Sequence, residues 1–288
     1  MAEPILKWVG GKRQLLQELR AHFPISYEEY HEPFIGGGAV FFEMEPTEGS
    51  INDLNRRLIT FYEVIRDYPE DLIEENQRHR YEEDYYYEVR DRFNELHQLE
   101  ERSIEQQIEE ASLMLYLNRT GYNGLYRVNQ SNEFNVPFGT HQNPDFVRER
   151  QIRKGSAVLE DIEIYNRDFS YLKDRAAEGD LVYFDPPYEP VSQTADFTEY
   201  QSEGFDKDDQ RRLRDLAKQL SNTGVNVVIS NSPPVWELYQ DIDEFEVSTV
   251  GASRMINSDA DNRDDVAEVI ITNIAKEDQQ QQDLGNYV

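Results

Sequence analysis

Two periods alternate along the chain. Between residues 54 and 117 apolar side chains recur at helical spacing. Leu54, Leu58, Phe61, Tyr62 and Ile65 share one face, Tyr85, Val89, Phe93 and Leu96 a second, and Ile104, Ile108, Ala111 and Leu115 a third. Stripes of this kind bury themselves against one another, so the stretch reads as a helical insertion. On either side the texture changes. A short apolar-leaning stretch from residue 30 to 34 runs into Gly36-Gly37-Gly38, and Ala39-Val40-Phe41-Phe42 opens a helix: strand, glycine turn, helix. From about Ile162 the alternation returns. Residues 181–184, 225–230 and 267–272 are short apolar runs typical of strands buried on both faces, separated by helical segments such as 208–220. Strands alternating with helices predict a mostly parallel α/β sheet interrupted by the helical region. Residues 276–288, with glutamines at 279–282, lack a period and are expected to be disordered.

Composition narrows the class. The 288 residues are 38% hydrophobic and 12% aromatic, with 18 tyrosines, too many for a disordered acidic protein. No apolar run approaches a membrane span, and the start lacks the basic and apolar regions of a signal peptide. The expectation is a soluble, cytoplasmic globular protein without a membrane partner. With no cysteine, disulfides, thiol nucleophiles and Cys-type metal sites are excluded. The five histidines are scattered singly, so no metal is expected.

Charge adds a second reading. There are 58 Asp+Glu against 29 Lys+Arg, a net charge of −29, and only 7 of the basic residues are lysine. Abundant carboxylates with depleted lysine suit a surface that must stay hydrated where salt screens everything else. At about 1 M salt the Debye length is about 3 Å, which silences most self-repulsion. The composition therefore points to a salt-in halophile; an acidic mesophilic protein with a basic partner is the alternative.

Four motifs carry chemistry. Asp185-Pro186-Pro187-Tyr188 directly follows the apolar run Leu181-Val182-Tyr183-Phe184. Two prolines stiffen the backbone and remove two N–H groups, so a carboxylate, a carbonyl and an aromatic face meet where open α/β sheets bind ligands. An aromatic exocyclic amine is a poor nucleophile because its lone pair is delocalised. Asp185 and the Pro186 carbonyl can accept hydrogen bonds from it while Tyr188 stacks on its ring. The second motif is the Phe34-Ile35-Gly36-Gly37-Gly38 turn, with Asp53 fifteen residues past Gly38, resembling the acidic residue that takes ribose hydroxyls in dinucleotide folds. The third, Leu6-Lys7-Trp8-Val9-Gly10-Gly11-Lys12, with Arg13 following, concentrates basic residues at a tryptophan–glycine turn. The fourth runs from Leu117 to Gly139 through Gly121-Tyr122-Asn123-Gly124-Leu125-Tyr126-Arg127, and reads as a β-hairpin around a polar turn. Residues 115–140 hold one acid and two arginines, whereas residues 70–110 hold fifteen acids and five basic residues. The former is the one long stretch suited to approach a polyanion, with aromatics for stacking and arginine for bidentate guanine contacts. No Gly-x-x-x-x-Gly-Lys-Ser/Thr supports nucleotide triphosphate hydrolysis.

In this order, the four motifs resemble the Dam-type DNA adenine-N6 methyltransferases of the D12 class, over roughly residues 5–272. The resemblance implies a Rossmann-like S-adenosylmethionine-dependent methyltransferase sheet with an inserted helical target-recognition domain carrying a β-hairpin. Residues 1–54 and 155–275 would form the catalytic domain and 55–154 the recognition domain. It implies methyl transfer from S-adenosylmethionine, without metal, to N6 of a flipped adenine in double-stranded DNA, with GATC as the expected site and a monomeric enzyme. Asp185, Pro186 and Tyr188 would hold the adenine. Trp8, Lys12, Phe34, Gly36, Gly38, Asp53, Asp168 and Asp185 would contact the cofactor. Tyr122 matches an intercalating aromatic, Leu125, Arg127 and Pro137 match base-reading positions, Lys7 reaches the other end of the site, and Asn123 belongs to the same DNA-contacting set. Two features depart from the pattern: Thr140 stands where relatives often have a basic residue, and Asp259, Asp261, Asp264 and Asp265 fill a loop expected to be basic. Rival readings are an amino methyltransferase acting on RNA or a protein glutamine, and a catalytically silent DNA-binding protein.

Overall fold

The computed structural model describes residues 1–10, 12, 15–188, 205–250 and 268–280. Gly11, Arg13, the acidic loop with Asp259, Asp261, Asp264 and Asp265, and residues 281–288 of the expected tail lie outside the described residues.

In chain order the elements are α1 (Leu16–Arg20), β1 (Tyr30–Glu32), α2 (Ala39–Met44), β2 (Gly49–Asn52), α3 (Arg56–Asp67), α4 (Pro69–Asn76), α5 (Glu83–His97) and α6 (Ile104–Thr120). Then come α7 (Glu149–Leu159), β3 (Ile162–Tyr165), α8 (Leu172–Arg175), β4 (Leu181–Phe184), α9 (Lys207–Asn222), β5 (Asn226–Asn231), β6 (Glu246–Val250) and β7 (Glu268–Thr272). Among the described residues the strands form a seven-stranded sheet of order β3-β2-β1-β4-β5-β7-β6. β4 runs parallel to both β1 and β5, Leu181 lying opposite Tyr30 and Asn226. β7 enters antiparallel between β5 and β6, with Ile271 opposite Ile229 and Val247. The order 3-2-1-4-5 is that of a doubly wound sheet. The α/β architecture expected from the alternating periods is borne out.

The chain divides into two compact units: residues 1–11, 35–47 and 51–167, and residues 12–34, 48–50 and 168–288. In the first, α6 packs on α3, α4 and α5, and α7 on α3 and α4. Ser103 and Gln106 close a capping box at the start of α6. From Glu110 the helix is buried almost all round, because helices contact it on several sides. Arg57 and Arg102 share the buried Glu110 carboxylate, and the Arg57 guanidinium lies 4.3 Å from the Phe93 ring centroid. Two details correct the periodic reading. Leu54 is 67% exposed, because α3 starts only after Asn55, whose side chain caps the N–H groups of Arg57 and Leu58. The expected hairpin is shorter than its sequence pattern. Residues 117–120 complete α6, and strand-like pairing is confined to bridges at Gly121–Phe138 and Val128–Phe134.

In the second unit all four residues of β4 are fully buried, as a continuous apolar run requires. The capping box of Asp206 and Asp209 starts α9, which packs on β5. The first residues of the expected disordered tail are held by backbone pairing: Gln279 bridges Pro24, and the Gln280 N–H donates to the Phe23 carbonyl at 2.9 Å. Such pairing leaves no hydrophobic period to read.

Candidate functional site

The chemistry-bearing residues follow strand ends. Phe34 comes just after β1, Asp53 directly after β2, Asp168 just after β3 and Asp185 directly after β4. In doubly wound sheets the carboxyl ends of the parallel strands are where ligands bind.

Within the second unit, Asp185 sits at the centre of a polar cluster. Its Oδ1 accepts hydrogen bonds from Lys12 Nζ at 2.9 Å and from the Ser230 hydroxyl, on β5, at 3.1 Å. Ser230 also meets the Tyr183 hydroxyl at 2.8 Å. Lys12 is only 4% exposed. It donates to the Tyr188 hydroxyl, lies 4.4 Å from the Tyr188 ring centroid, and approaches Glu268 Oε2, at the start of β7, to 3.6 Å. Burial pushes both Asp185 and Glu268 above the usual carboxylate range, while Lys12 pulls each back down. Burial and the two carboxylates push the Tyr188 hydroxyl up, so it stays protonated. Pro186 is buried, and the Pro187 carbonyl accepts from Gln210, itself held by Asn231.

Phe34 packs its ring against Phe169 and Phe205, with centroids 5.6 and 5.4 Å away. Asp168 caps the following turn through the Ser170 N–H, and both its oxygens accept from Arg212 at 2.9 Å. Burial works upward on Asp168, but these hydrogen bonds outweigh it and hold the carboxyl below its ordinary value.

Within the first unit, Asp53 accepts from the backbone N–H of Gly36 at 3.2 Å and of Asn55 at 2.9 Å, which locks the glycine turn to the end of β2. Burial pushes its carboxyl up against these bonds. The turn needs glycine for internal reasons. Gly36 and Gly38 have φ of +47° and +68°, and a Cβ on Gly37 would stand 2.6 Å from the Trp8 Cβ. Trp8 stacks on Tyr126, 5.1 Å between centroids, and the Tyr62 hydroxyl donates to the Gly36 carbonyl at 2.8 Å.

The basic N-terminal residue and the loop after α6 also meet here. The Asn118 side chain accepts from the Lys7 N–H and donates to the Lys7 and Gly124 carbonyls. A Cβ on Gly124, at φ +67°, would collide with the Lys7 stem at 2.3 Å. Lys7 itself is exposed, and partial burial together with Arg119 lowers its pKa. Tyr122 is 54% exposed, beside the exposed Asn123 and Pro137; Leu125 is half-buried. Arg127 donates from Nε to the Asn135 side chain at 2.6 Å and from Nη2 to its carbonyl at 3.1 Å.

Ser230, Glu268, Arg212, Asn135 and Tyr126 join these constellations without having been singled out as site residues. Glu268 did have a signal: a lone acid heading the apolar run Val269-Ile270-Ile271, as Asp185 ends one.

A glycine turn after β1 and Asp-Pro-Pro-Tyr after β4, on a sheet of this order, define a Rossmann-like methyltransferase. The chain belongs to the D12 class N6 adenine-specific DNA methyltransferases, whose family model matches residues 8–256. It is 43% identical over 278 residues to the Type II methyltransferase M1.LlaDCHI of Lactococcus lactis subsp. cremoris, covering 94% of this chain and 95% of that one. It is 36% identical to the Type II methyltransferase M.MjaIII of Methanocaldococcus jannaschii, covering 94% and 99%. A DNA adenine methylase of Vibrio cholerae is 33% identical, covering 92% and 94%. The chain is thus an enzyme of adenine-N6 modification in DNA, and its family implies S-adenosylmethionine as methyl donor.

Proposed function

We propose that this enzyme methylates N6 of adenine in double-stranded DNA at GATC, after turning the target base out of the helix. The observation that carries the reading is Asp185 at the end of the buried strand β4, its carboxylate fixed by Lys12 and Ser230 and followed by two prolines and Tyr188. Adenine N6 is hydrogen-bonded inside the duplex, so chemistry there requires extrusion. Asp185 and the Pro186 carbonyl then accept hydrogen bonds from the amine and aim its lone pair, and Tyr188 covers the ring. The proton lost after transfer leaves to water or to Asp185.

The residues fit an S-adenosylmethionine donor by their chemistry. Two carboxylates, Asp185 and Glu268, around one ammonium leave a negative balance suited to a sulfonium cation. We assign Lys12, Phe34, Asp168 and Asp185 of the second unit, and Trp8, Gly36, Gly38 and Asp53 of the first, as cofactor-binding residues. Bound S-adenosylmethionine would supply an electrophilic methyl group. Asp53 keeps acceptor capacity for hydroxyls beyond its backbone bonds from Gly36, Leu54 and Asn55. Lys7, Tyr122, Asn123, Leu125, Arg127 and Pro137 are assigned to DNA, residues 55–154 to target recognition, and the acidic composition to life in high salt.

DNA from a host expressing the gene, cut with enzymes sensitive to adenine methylation at GATC, tests the site. Protection at GATC is expected; protection elsewhere only would overturn the specificity. Asp185→Ala should abolish nearly all turnover in a folded protein, because the amine loses its acceptor. Retained turnover would remove Asp185 from the chemistry.

A further inference from the structure

The proposed chemistry at the amine uses Asp185 and Tyr188 and gives Glu268 no part beyond its share of the local charge balance. Yet Glu268 reaches the same buried ammonium as Asp185, at 3.6 Å against 2.9 Å, and hydrogen-bonds with Tyr188. A carboxylate is costly to bury, and Glu268 is only 16% exposed at the head of a strand whose next three residues are apolar. Were Lys12 paired with Asp185 alone, the ammonium would neutralise the acceptor and weaken its hold on the amine. A second carboxylate on the same ammonium divides that charge.

We propose that Glu268 is a positioning residue: it shares Lys12 with Asp185, keeping Asp185 electron-rich as the acceptor for the amine, and fixes the Tyr188 hydroxyl. This rests on the reading of Asp185 given above. The titratable and charged groups facing the pair are Lys12, Tyr188 and Tyr183, with the Ser230 hydroxyl also on Asp185.

Glu268→Gln keeps the shape and loses the charge. Its kcat should fall about tenfold or more. The acid limb of its pH–rate profile should move to lower pH, because removing a neighbouring negative charge lowers the Asp185 pKa. Glu268→Asp, which keeps the charge, should leave the limb in place and guards against a folding defect in the glutamine variant. A readout independent of turnover is calorimetry of S-adenosylmethionine binding in buffers of different ionisation enthalpy. At a pH on the acid limb of the wild-type profile, where the pair holds protons, arrival of a cation beside two carboxylates should release protons from the wild type, and fewer from Glu268→Gln. An unmoved acid limb and unchanged proton release in Glu268→Gln would overturn the proposal, even if kcat fell, since packing alone would then explain the loss. The Asp185→Ala control separates the two readings. If it stays active, the Asp185 assignment fails; if it is dead while Glu268→Gln behaves as wild type, only the role of Glu268 fails.

Discussion

Arg127 spends two of its nitrogens on a single residue, Asn135, through one side-chain and one backbone oxygen. That grip holds the guanidinium plane in one orientation before any base arrives, which lowers the entropy lost in a bidentate contact. Arg127→Ala should therefore relax discrimination at one outer base pair by about 1–3 kcal/mol, read from relative kcat/KM on single-substituted sites. Equal weakening on every sequence would make Arg127 a phosphate contact instead. At this scale the sequence is legible where function is contiguous. Asp185 and Tyr188 announce themselves because two prolines separate them and an apolar strand precedes them. Ser230 does not, because a strand distant in the chain brings it to Asp185 and a serine near a strand end has no special pattern. Glu268 had only the weak signal of a lone acid, and its meeting with Lys12 is set by a strand distant in the chain. Gly36 and Gly37 were readable as a turn, but the side chain demanding them, Trp8, was not.

Among the helices, a buried histidine ties three segments together. Ser112 on α6 donates to Asn76 at the end of α4, so its oxygen must accept from His79 Nε2; His79 Nδ1 then accepts from Tyr85 on α5. The network thus needs the neutral ring, and burial pushes His79 from 6.5 to about 4. The folded state binds this proton more weakly than the unfolded chain. The stabilisation is therefore complete above about pH 6.5 and is lost as pH falls from there toward 4, by up to about 3 kcal/mol. Urea midpoints for wild type and His79→Gln should converge across that window; parallel curves would show that the ring does not titrate there. The other histidines are common to both proteins and cancel. Helices α3, α5 and α6 were readable from their stripes, since period alone locates an amphipathic helix, whereas the short α4 (Pro69–Asn76) carried no stripe that was read. Their ends were not, because the Asn55 side chain sets the start of α3 and the Gly121 N–H the end of α6. Nor were the hairpin limits, which rest on two bridges.

Across the whole molecule, the charge of −29 sets the response to salt. Counterion release, which ordinarily supplies much DNA affinity, fades as salt rises. Here screening should also relieve self-repulsion and repulsion from DNA. Folding by circular dichroism and methyl transfer should both improve from about 0.1 M toward about 1 M KCl. A folded enzyme working best at the lowest salt would refute the proposed adaptation to salt and leave the methyltransferase standing. The antiparallel strand β7 has a consequence of another kind, for the order of events at the ribosome. The residues of the first unit have all been made once residue 167 emerges, long before β7. The second unit joins the start of the chain to its late strands, and Lys12 meets Glu268 only after β7 has been translated and slotted between β5 and β6. A nascent chain can thus complete the helical unit with its loop after α6 while the corner around Asp185 still lacks a wall, so that corner has to wait for β7.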